Sequence, residues 1–120
     1  MLTGRVTPNG LPVVPVSVGG QVFEAILDTG FEGAIQLPSV LLPGINALYV
    51  GKQKYALGDG DEADLDVYAV EIDFDATHAR VLATLSDHDE ILIGTDLLRS
   101  YRLTIDFPAG TVCLDRPPPP

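Results

Sequence analysis

The chain has 120 residues, of which 46% are hydrophobic and 20% are charged, so its composition is that of a single folded domain and not of a disordered segment. Seventeen acidic residues against seven basic ones give a formal net charge of −10, which repels nucleic acid and anionic lipid surfaces. This surplus of acidic residues is typical of a solvated surface, and it also suits a cationic or low-pH substrate. The lone Cys113 cannot close an intrachain disulfide, and no stretch approaches the roughly 18 apolar residues of a membrane span. We therefore expect a soluble, cytoplasmic protein that has neither a nucleic-acid nor a membrane partner.

The first predicted element is a β-hairpin. Two runs rich in valine, isoleucine and phenylalanine, residues 13–18 and 21–27, are separated by Gly19-Gly20, a typical two-residue hairpin loop. The second run ends in three apolar residues, so Asp28 follows directly from a strand that we expect to be buried. Residues 37–44 can hold at most one short helical turn, because proline interrupts the segment near both ends.

Most of the remaining chain predicts further strands. They lie at residues 47–57, 65–74, 79–85, 91–93, 101–107 and 111–114. Gly58-Asp59-Gly60-Asp61 predicts a turn between the first two, and 108–110 predicts a hairpin between the last two. After Gly94, the side chains of Thr95 and Asp96 are candidates to cap the only convincing helix. The class is therefore all-β, barrel-like or sandwich-like, with one domain over residues 1–116 and an extended or disordered proline tail at 117–120.

Two segments carry residues with the potential for chemistry. Asp28-Thr29-Gly30 stands at the end of an apolar strand, although on its own this tripeptide could simply be a turn in which the aspartate accepts backbone hydrogen bonds. About sixty residues later comes Leu92-Ile93-Gly94, followed by Asp96-Leu97-Leu98 at the predicted helix and by a last pair of strands.

In this order and at this spacing, the segments resemble the retropepsin family, to which the retroviral proteases and their cellular and bacterial relatives belong. The resemblance covers roughly residues 11–115 and implies a closed, acid-protease-like β-barrel with one short helix in its C-terminal half and a flap hairpin. It implies an aspartic endopeptidase in which Asp28 is catalytic and needs no metal or other cofactor. Gly94 and Asp96 occupy the family's second loop and helix start.

Peptide hydrolysis by water needs a base to activate the water and an acid to protonate the departing amide, and two carboxylates that share one proton supply both. Aspartic proteases are the standard example of such a pair. The chain has only one Asp-Thr-Gly and no Asp-Ser-Gly, so the resemblance implies a homodimer in which Asp28 of each copy meets across a two-fold axis. The polypeptide substrate is expected to bind as an extended strand.

The resemblance also implies supporting roles. The Thr29 hydroxyl would steady the paired loops and Gly30 would allow close backbone approach. Gly58, Asp59 and Gly60 would form the tip of the flap, with an ordinary exposed turn as the alternative. The acidic residues there leave the substrate preference open.

The chain departs from the retroviral pattern after the tripeptide. Where retroviral enzymes have an alanine and an aspartate that pairs with an arginine, this sequence has Phe31-Glu32 and Thr95, so that ion pair is absent. The chain also continues into a further strand at 111–114, which leaves the mode of dimerisation open.

Other sites and functions are weaker alternatives. His78 and His88 have no partner at metal-ligand spacing, and the acidic residues at 59–64 lack the ligands that complete a calcium loop. A catalytically silent dimerisation or peptide-binding module is the main alternative to an enzyme. An unrelated small β-domain whose motifs match by chance is the third.

Overall fold

The computed structural model describes residues 1–56 and 59–118. Its elements in chain order are β1 (Leu2–Val6), β2 (Pro12–Val18), β3 (Gln21–Leu27), β4 (Ile35–Pro38), a 3-10 helix (Ser39–Gly44), β5 (Leu48–Ala56), β6 (Glu62–Phe74), β7 (Thr77–Ser86), β8 (Ile91–Ile93), α1 (Thr95–Leu98), β9 (Arg102–Asp106) and β10 (Thr111–Asp115). The predicted all-β class is confirmed. Gly58 of the predicted flap tip and the last two prolines lie outside the described residues.

The strands form one sheet that closes on itself. Their order is β5-β6-β7-β4-β8-β3-β2-β1-β10-β9, and an additional pairing joins β2 to β6. This pairing, through Ser17 with Asp73 and Val18 with Ile72, closes six of the strands into a ring. Among residues 1–56 and 59–118, the ring leaves β5 as a free edge on one side and a three-stranded extension, β1, β10 and β9, on the other.

Aliphatic side chains fill a single core. Alternate residues of β2 point inward, because successive side chains of a strand lie on opposite faces. The almost fully buried members are Val14, Val16, Val18, Ala25, Ile35, Leu37, Val70, Ile72, Ala83, Ile93, Val112 and Leu114. The core therefore includes β10 as well as the ring strands, and it holds the extension against the ring.

The first hairpin forms as its sequence predicts. Gly19 and Gly20 take φ of 59° and 84°, the left-handed region that glycine enters most readily. The β2–β3 ladder then runs without interruption from Val18 opposite Gln21 to Val13 opposite Ile26. Asp28 follows at the end of β3.

Two strands are absent from the sequence prediction. β1 is short and pairs with both β10 and β2. β4 occupies the start of the segment interpreted as a helical turn, because Ile35–Pro38 pairs in parallel with β7 and antiparallel with β8. The helical turn itself follows as the 3-10 helix.

Within the described residues, no helix is long and apolar enough to cross a bilayer.

Candidate active site

Asp28 is held in place by the strand next to it. β3 lies parallel to β8 with Leu27 opposite Ile93, and the Asp28 backbone N–H continues this ladder by donating to the Ile93 carbonyl at 2.9 Å. The backbone of Asp28 is therefore fixed by the core, while its side chain is only half-buried. Thr29 and Gly30, which follow it, are exposed.

One oxygen of the Asp28 carboxylate is engaged by its own loop. The Gly30 N–H donates to Oδ1 at 2.9 Å, and the Phe31 N–H donates to the Asp28 carbonyl at 3.2 Å. A Cβ on Gly30 would lie 3.2 Å from Oδ1, which is tighter than ordinary contact. Oδ2 accepts no hydrogen bond in the described part of the chain, so it is free to bind a water or a second carboxylic acid.

The loop after Asp28 packs on the start of α1. A Cβ on Gly94 would lie 2.5 Å from the Phe31 carbonyl oxygen and closer still to that of Gly33, so only glycine fits there. The two carbonyls approach Gly94 because they accept the first free N–H groups of the helix: Thr95 donates to Phe31 at 2.8 Å, and Asp96 donates to Gly33 at 3.2 Å.

This arrangement corrects the predicted cap of the helix. Gly94 is the N-cap residue, and no side chain of the described residues caps the helix. Thr95 and Asp96 lie inside the first turn; the Thr95 hydroxyl donates to the Phe31 carbonyl at 3.4 Å, whereas Asp96 is exposed. The loop after Asp28 supplies the acceptors, in place of the Thr95 and Asp96 side chains that the sequence analysis assigned to this role.

The loop is also tied to the β5–β6 hairpin through Glu32. Its Oε1 accepts the Ala56 backbone N–H at 2.8 Å, at the end of β5. Phe31 stacks on Tyr55 with a centroid distance of 6.3 Å, and burial raises the pKa of the Tyr55 hydroxyl. Phe31 and Glu32, the two residues at which the sequence departs from the retroviral pattern, thus connect the Asp28 loop to the hairpin. Sequence reasoning missed both contacts, because residues 24 positions apart in a loop and a strand give no local signal.

The hairpin itself lies where the flap was predicted. β5 and β6 pair out to Ala56 opposite Glu62, and the Asp59 carboxylate accepts the Asp61 N–H at 3.0 Å in the turn beyond. Gly60 has φ of 91° and is exposed. The flap role of these residues stays a prediction, and Gly58 lies outside the described residues.

A cleft of about 480 Å³ lies beside the loop. Its lining includes Glu32, Tyr55, Thr95, Asp96 and Arg99, from the loop, β5 and α1. Asp28 does not line it, nor does it line the cleft of about 350 Å³ near His78.

His78 lies next to two carboxylates. His78 is 2.8 Å from Asp73 and 2.5 Å from Glu71, and these hydrogen bonds raise the pKa of its imidazole. In the described ranges, no group of three or more histidine, cysteine, aspartate or glutamate side chains is arranged to hold a metal ion. Cys113 is half-buried, and burial raises the pKa of its thiol.

Comparison with known proteins gives a consistent picture of the fold. No family model and no curated protein matches the sequence. A retropepsin-like aspartic protease from Rickettsia conorii superimposes with a TM-score of 0.65 at 16% identity, covering 93% of this chain and 87% of that one. The EIAV protease in complex with an inhibitor superimposes with a TM-score of 0.61 at 16% identity, covering 78% of this chain and 89% of that one. The Simian Foamy Virus protease superimposes with a TM-score of 0.51 at 18% identity, covering 72% of this chain and 91% of that one.

At these identities the likeness concerns the fold alone. The predicted resemblance is confirmed at that level: the chain has a retropepsin-like fold.

Proposed function

On this retropepsin-like fold, we propose that the protein is an aspartic endopeptidase that acts as a homodimer, with Asp28 of each subunit contributing one carboxyl group. The observation that supports it most is the state of Asp28. Its backbone is fixed at a core strand, one carboxylate oxygen is held by Gly30, and the other has no partner among the described residues. A turn-forming aspartate needs only the first oxygen, whereas catalysis needs the second one free.

A second copy is required because one carboxyl group cannot act as base and acid at the same moment. The sequence contains a single Asp-Thr-Gly, at 28–30, in an exposed loop. Two such loops about a two-fold axis place two like charges together, and this arrangement favours a state in which the pair shares one proton.

The reaction follows from that shared proton. The ionised Asp28 takes a proton from a water held between the subunits, and the water oxygen attacks the peptide carbonyl carbon. The protonated Asp28 of the partner subunit gives its proton to the departing amide nitrogen as the C–N bond breaks. The products are a carboxylic acid and an amine, and the pair again holds one proton with the two roles exchanged.

The contacts around the loop suit a site that closes over an extended peptide. Glu32 and Phe31 join the Asp28 loop to the end of β5, so the β5–β6 hairpin lies next to that loop. A hairpin of this kind can cover the substrate and exclude water from the reacting bond. Main-chain pairing with the substrate would then give affinity, and side-chain pockets selectivity.

The test compares the wild type with Asp28→Asn on an unfolded protein such as casein, from acid to neutral pH. Asparagine keeps an Oδ1 that can accept the Gly30 N–H, so the loop and the fold are expected to survive while the titrating group is removed. Asp87→Asn is the matched control, because Asp87 is exposed and makes no side-chain hydrogen bond in the described residues.

Cleavage lost in Asp28→Asn and retained in Asp87→Asn is the expected result. Equal cleavage by both variants would remove Asp28 from the mechanism. Binding of peptides by a wild-type dimer with no turnover at any pH would favour the silent binding module instead.

A further inference from the structure

The outer part of the β5–β6 hairpin projects beyond the rest of the sheet. β6 pairs with β7 only as far as Val67, whereas β5 and β6 continue to pair with each other up to Ala56. This outer part, residues 52–56 and 62–66, is called the arm. Within the described residues, each strand of the arm pairs only with the other, and a two-stranded ribbon is marginally stable in water. The position of the arm therefore depends on its contacts with the body of the protein.

The first of these contacts is aromatic. Tyr55 is the only buried side chain of the arm, with 8% of its surface exposed. Its ring stacks on that of Phe31, in the loop after Asp28, at a centroid distance of 6.3 Å. A Cβ on Gly33 would lie 2.5 Å from the Phe31 ring and 3.2 Å from the Tyr55 ring, so glycine allows both rings to lie against the loop backbone. The stack brings the arm against this loop.

The second contact comes from Glu32 and fixes the end of the arm. Its Oε1 accepts the backbone N–H of Ala56, the last residue of β5, at 2.8 Å. Because this N–H donates to Glu32 and not to β6, it lies on the outer edge of the arm. A hydrogen bond from a backbone N–H to a carboxylate is directional and stronger than one between neutral groups. Glu32 therefore sets where β5 ends relative to the Asp28 loop.

The backbone on both sides of Glu32 is held by α1. The Phe31 carbonyl accepts the Thr95 N–H at 2.8 Å, and the Gly33 carbonyl accepts the Asp96 N–H at 3.2 Å. Glu32 forms no ion pair within residues 1–56 and 59–118, so its carboxylate is available to β5. Since the loop is fixed on either side, it cannot shift to make up for a shorter side chain at this position.

We propose that Glu32 is a positioning residue that anchors the arm to the Asp28 loop of the same subunit, so that the site is ready to receive a polypeptide. This role rests on the proposed function, because the hairpin is the part proposed to cover the substrate. An arm that is already in place costs no ordering when a polypeptide binds. If only a fraction of the molecules has the arm in place, the apparent affinity falls by that fraction. Glu32 therefore acts on substrate binding and not on the chemical step.

Two substitutions separate the reach of Glu32 from its charge. Glu32→Asp keeps the carboxylate but is one methylene shorter, which takes its oxygens out of hydrogen-bond range of the Ala56 N–H. Glu32→Gln keeps the length and an oxygen acceptor but removes the charge. Glu62→Asp is the matched control, because Glu62 lies opposite Ala56 in the same arm and is exposed. Glu32→Gln and Glu62→Asp should behave like the wild type, and Glu32→Asp should not.

Amide hydrogen exchange of the full chain tests the anchor without any substrate. Glu32→Asp should speed exchange of the amides that join β5 to β6 throughout the arm by roughly 5- to 30-fold, because the anchoring hydrogen bond is lost. Exchange in Glu32→Gln should stay within about threefold of the wild type. Faster exchange at Ala56 alone, wild-type exchange in Glu32→Asp, or equal acceleration in Glu32→Asp and Glu32→Gln would each overturn the anchor.

Steady-state cleavage of casein tests the consequence for the site. Glu32→Asp should raise KM by roughly fivefold or more while kcat changes by less than about twofold, because fewer molecules have the arm in place but those that do react normally. Glu32→Gln should restore the wild-type KM. An equal loss of kcat and kcat/KM would put Glu32 in the chemical step and would contradict its positioning role.

The anchor and the proposed function fail separately. A wild type that cleaves nothing contradicts the function, and the exchange of the arm amides then decides the anchor on its own. Cleavage that depends on Asp28 but has the same KM in Glu32→Asp as in the wild type contradicts the anchor alone.

Discussion

Gly94→Ala tests the packing of the loop that follows Asp28 on α1. Gly94 has φ of −105°, which any residue can adopt, so the substitution introduces no backbone strain and its cost is steric. The new Cβ would lie 2.5 Å from the Phe31 carbonyl oxygen and closer still to that of Gly33, where ordinary contact begins at 3.4 Å. The loop must therefore move by roughly 1 Å, and the first N–H groups of the helix lose their acceptors.

The magnitude follows from these two effects. Forcing an extra methyl group into a packed site costs about 1–3 kcal/mol. Losing the hydrogen bonds that Thr95 and Asp96 donate to the loop adds about 1 kcal/mol each, so the free energy of unfolding should fall by roughly 3–5 kcal/mol. For a chain of this size that corresponds to a melting temperature lower by roughly 10–20 °C.

The assay is thermal denaturation followed by circular dichroism, with Gly44→Ala as the control. Gly44 has no heavy atom within 4 Å of an added Cβ, so the same substitution there should change stability by no more than about 1 kcal/mol. Both variants are measured at one protein concentration, because the proposed dimerisation would make the melting temperature depend on it. A Gly94→Ala protein that melts within about 3 °C of Gly44→Ala would refute this packing.

Two further predictions concern the hairpin and the exposed histidine. Glu32→Ala should speed hydrogen exchange of the Ala56 amide by roughly 5- to 30-fold, because the hydrogen bond to the carboxylate contributes about 1–2 kcal/mol. Glu32→Gln keeps an acceptor and should retain most of the protection. Equal exchange rates in the two variants would contradict the contact. The His78 pKa is raised by its two carboxylate partners, so its stabilising contribution is complete below the unfolded-state value of about 6.5 and is lost as pH rises through the folded-state value. His78→Gln should therefore lower the melting temperature more at about pH 6 than at about pH 9. His88→Gln is the matched control, because it removes an exposed histidine that has no ion pair in the described residues.

Local signals predict the part of the site that lies within one strand and its turn. Gly19-Gly20 and the apolar end of β3 determine where β3 starts and stops, and so place Asp28. The observed β3, Gln21–Leu27, matches the predicted segment at both ends. Strand alternation and glycine turns act over a few residues, which is why they can be recognised in one sequence.

The rest of the site depends on contacts between distant segments. β4 is a strand because β7 and β8 lie on either side of it, although the sequence predicted at most one short helical turn over residues 37–44. The helix cap comes from Phe31 and Gly33, more than sixty residues before α1, and not from the adjacent side chains. Contacts between distant segments determine whether β4 is a strand and what caps α1, and a local secondary-structure propensity or capping pattern carries no information about those contacts.

The pairing of two Asp28 residues in one site is tested most directly by mixing wild type and Asp28→Asn at concentrations well above the dimer dissociation constant. With free exchange and equal amounts, about one quarter of the dimers carry two Asp28 residues and about one half carry one. Cleavage should therefore fall to about one quarter of that of the same total amount of wild type, because a mixed dimer lacks either the acid or the base. A fall to only about one half would mean that each subunit acts with its own Asp28 alone, and it would contradict the shared site.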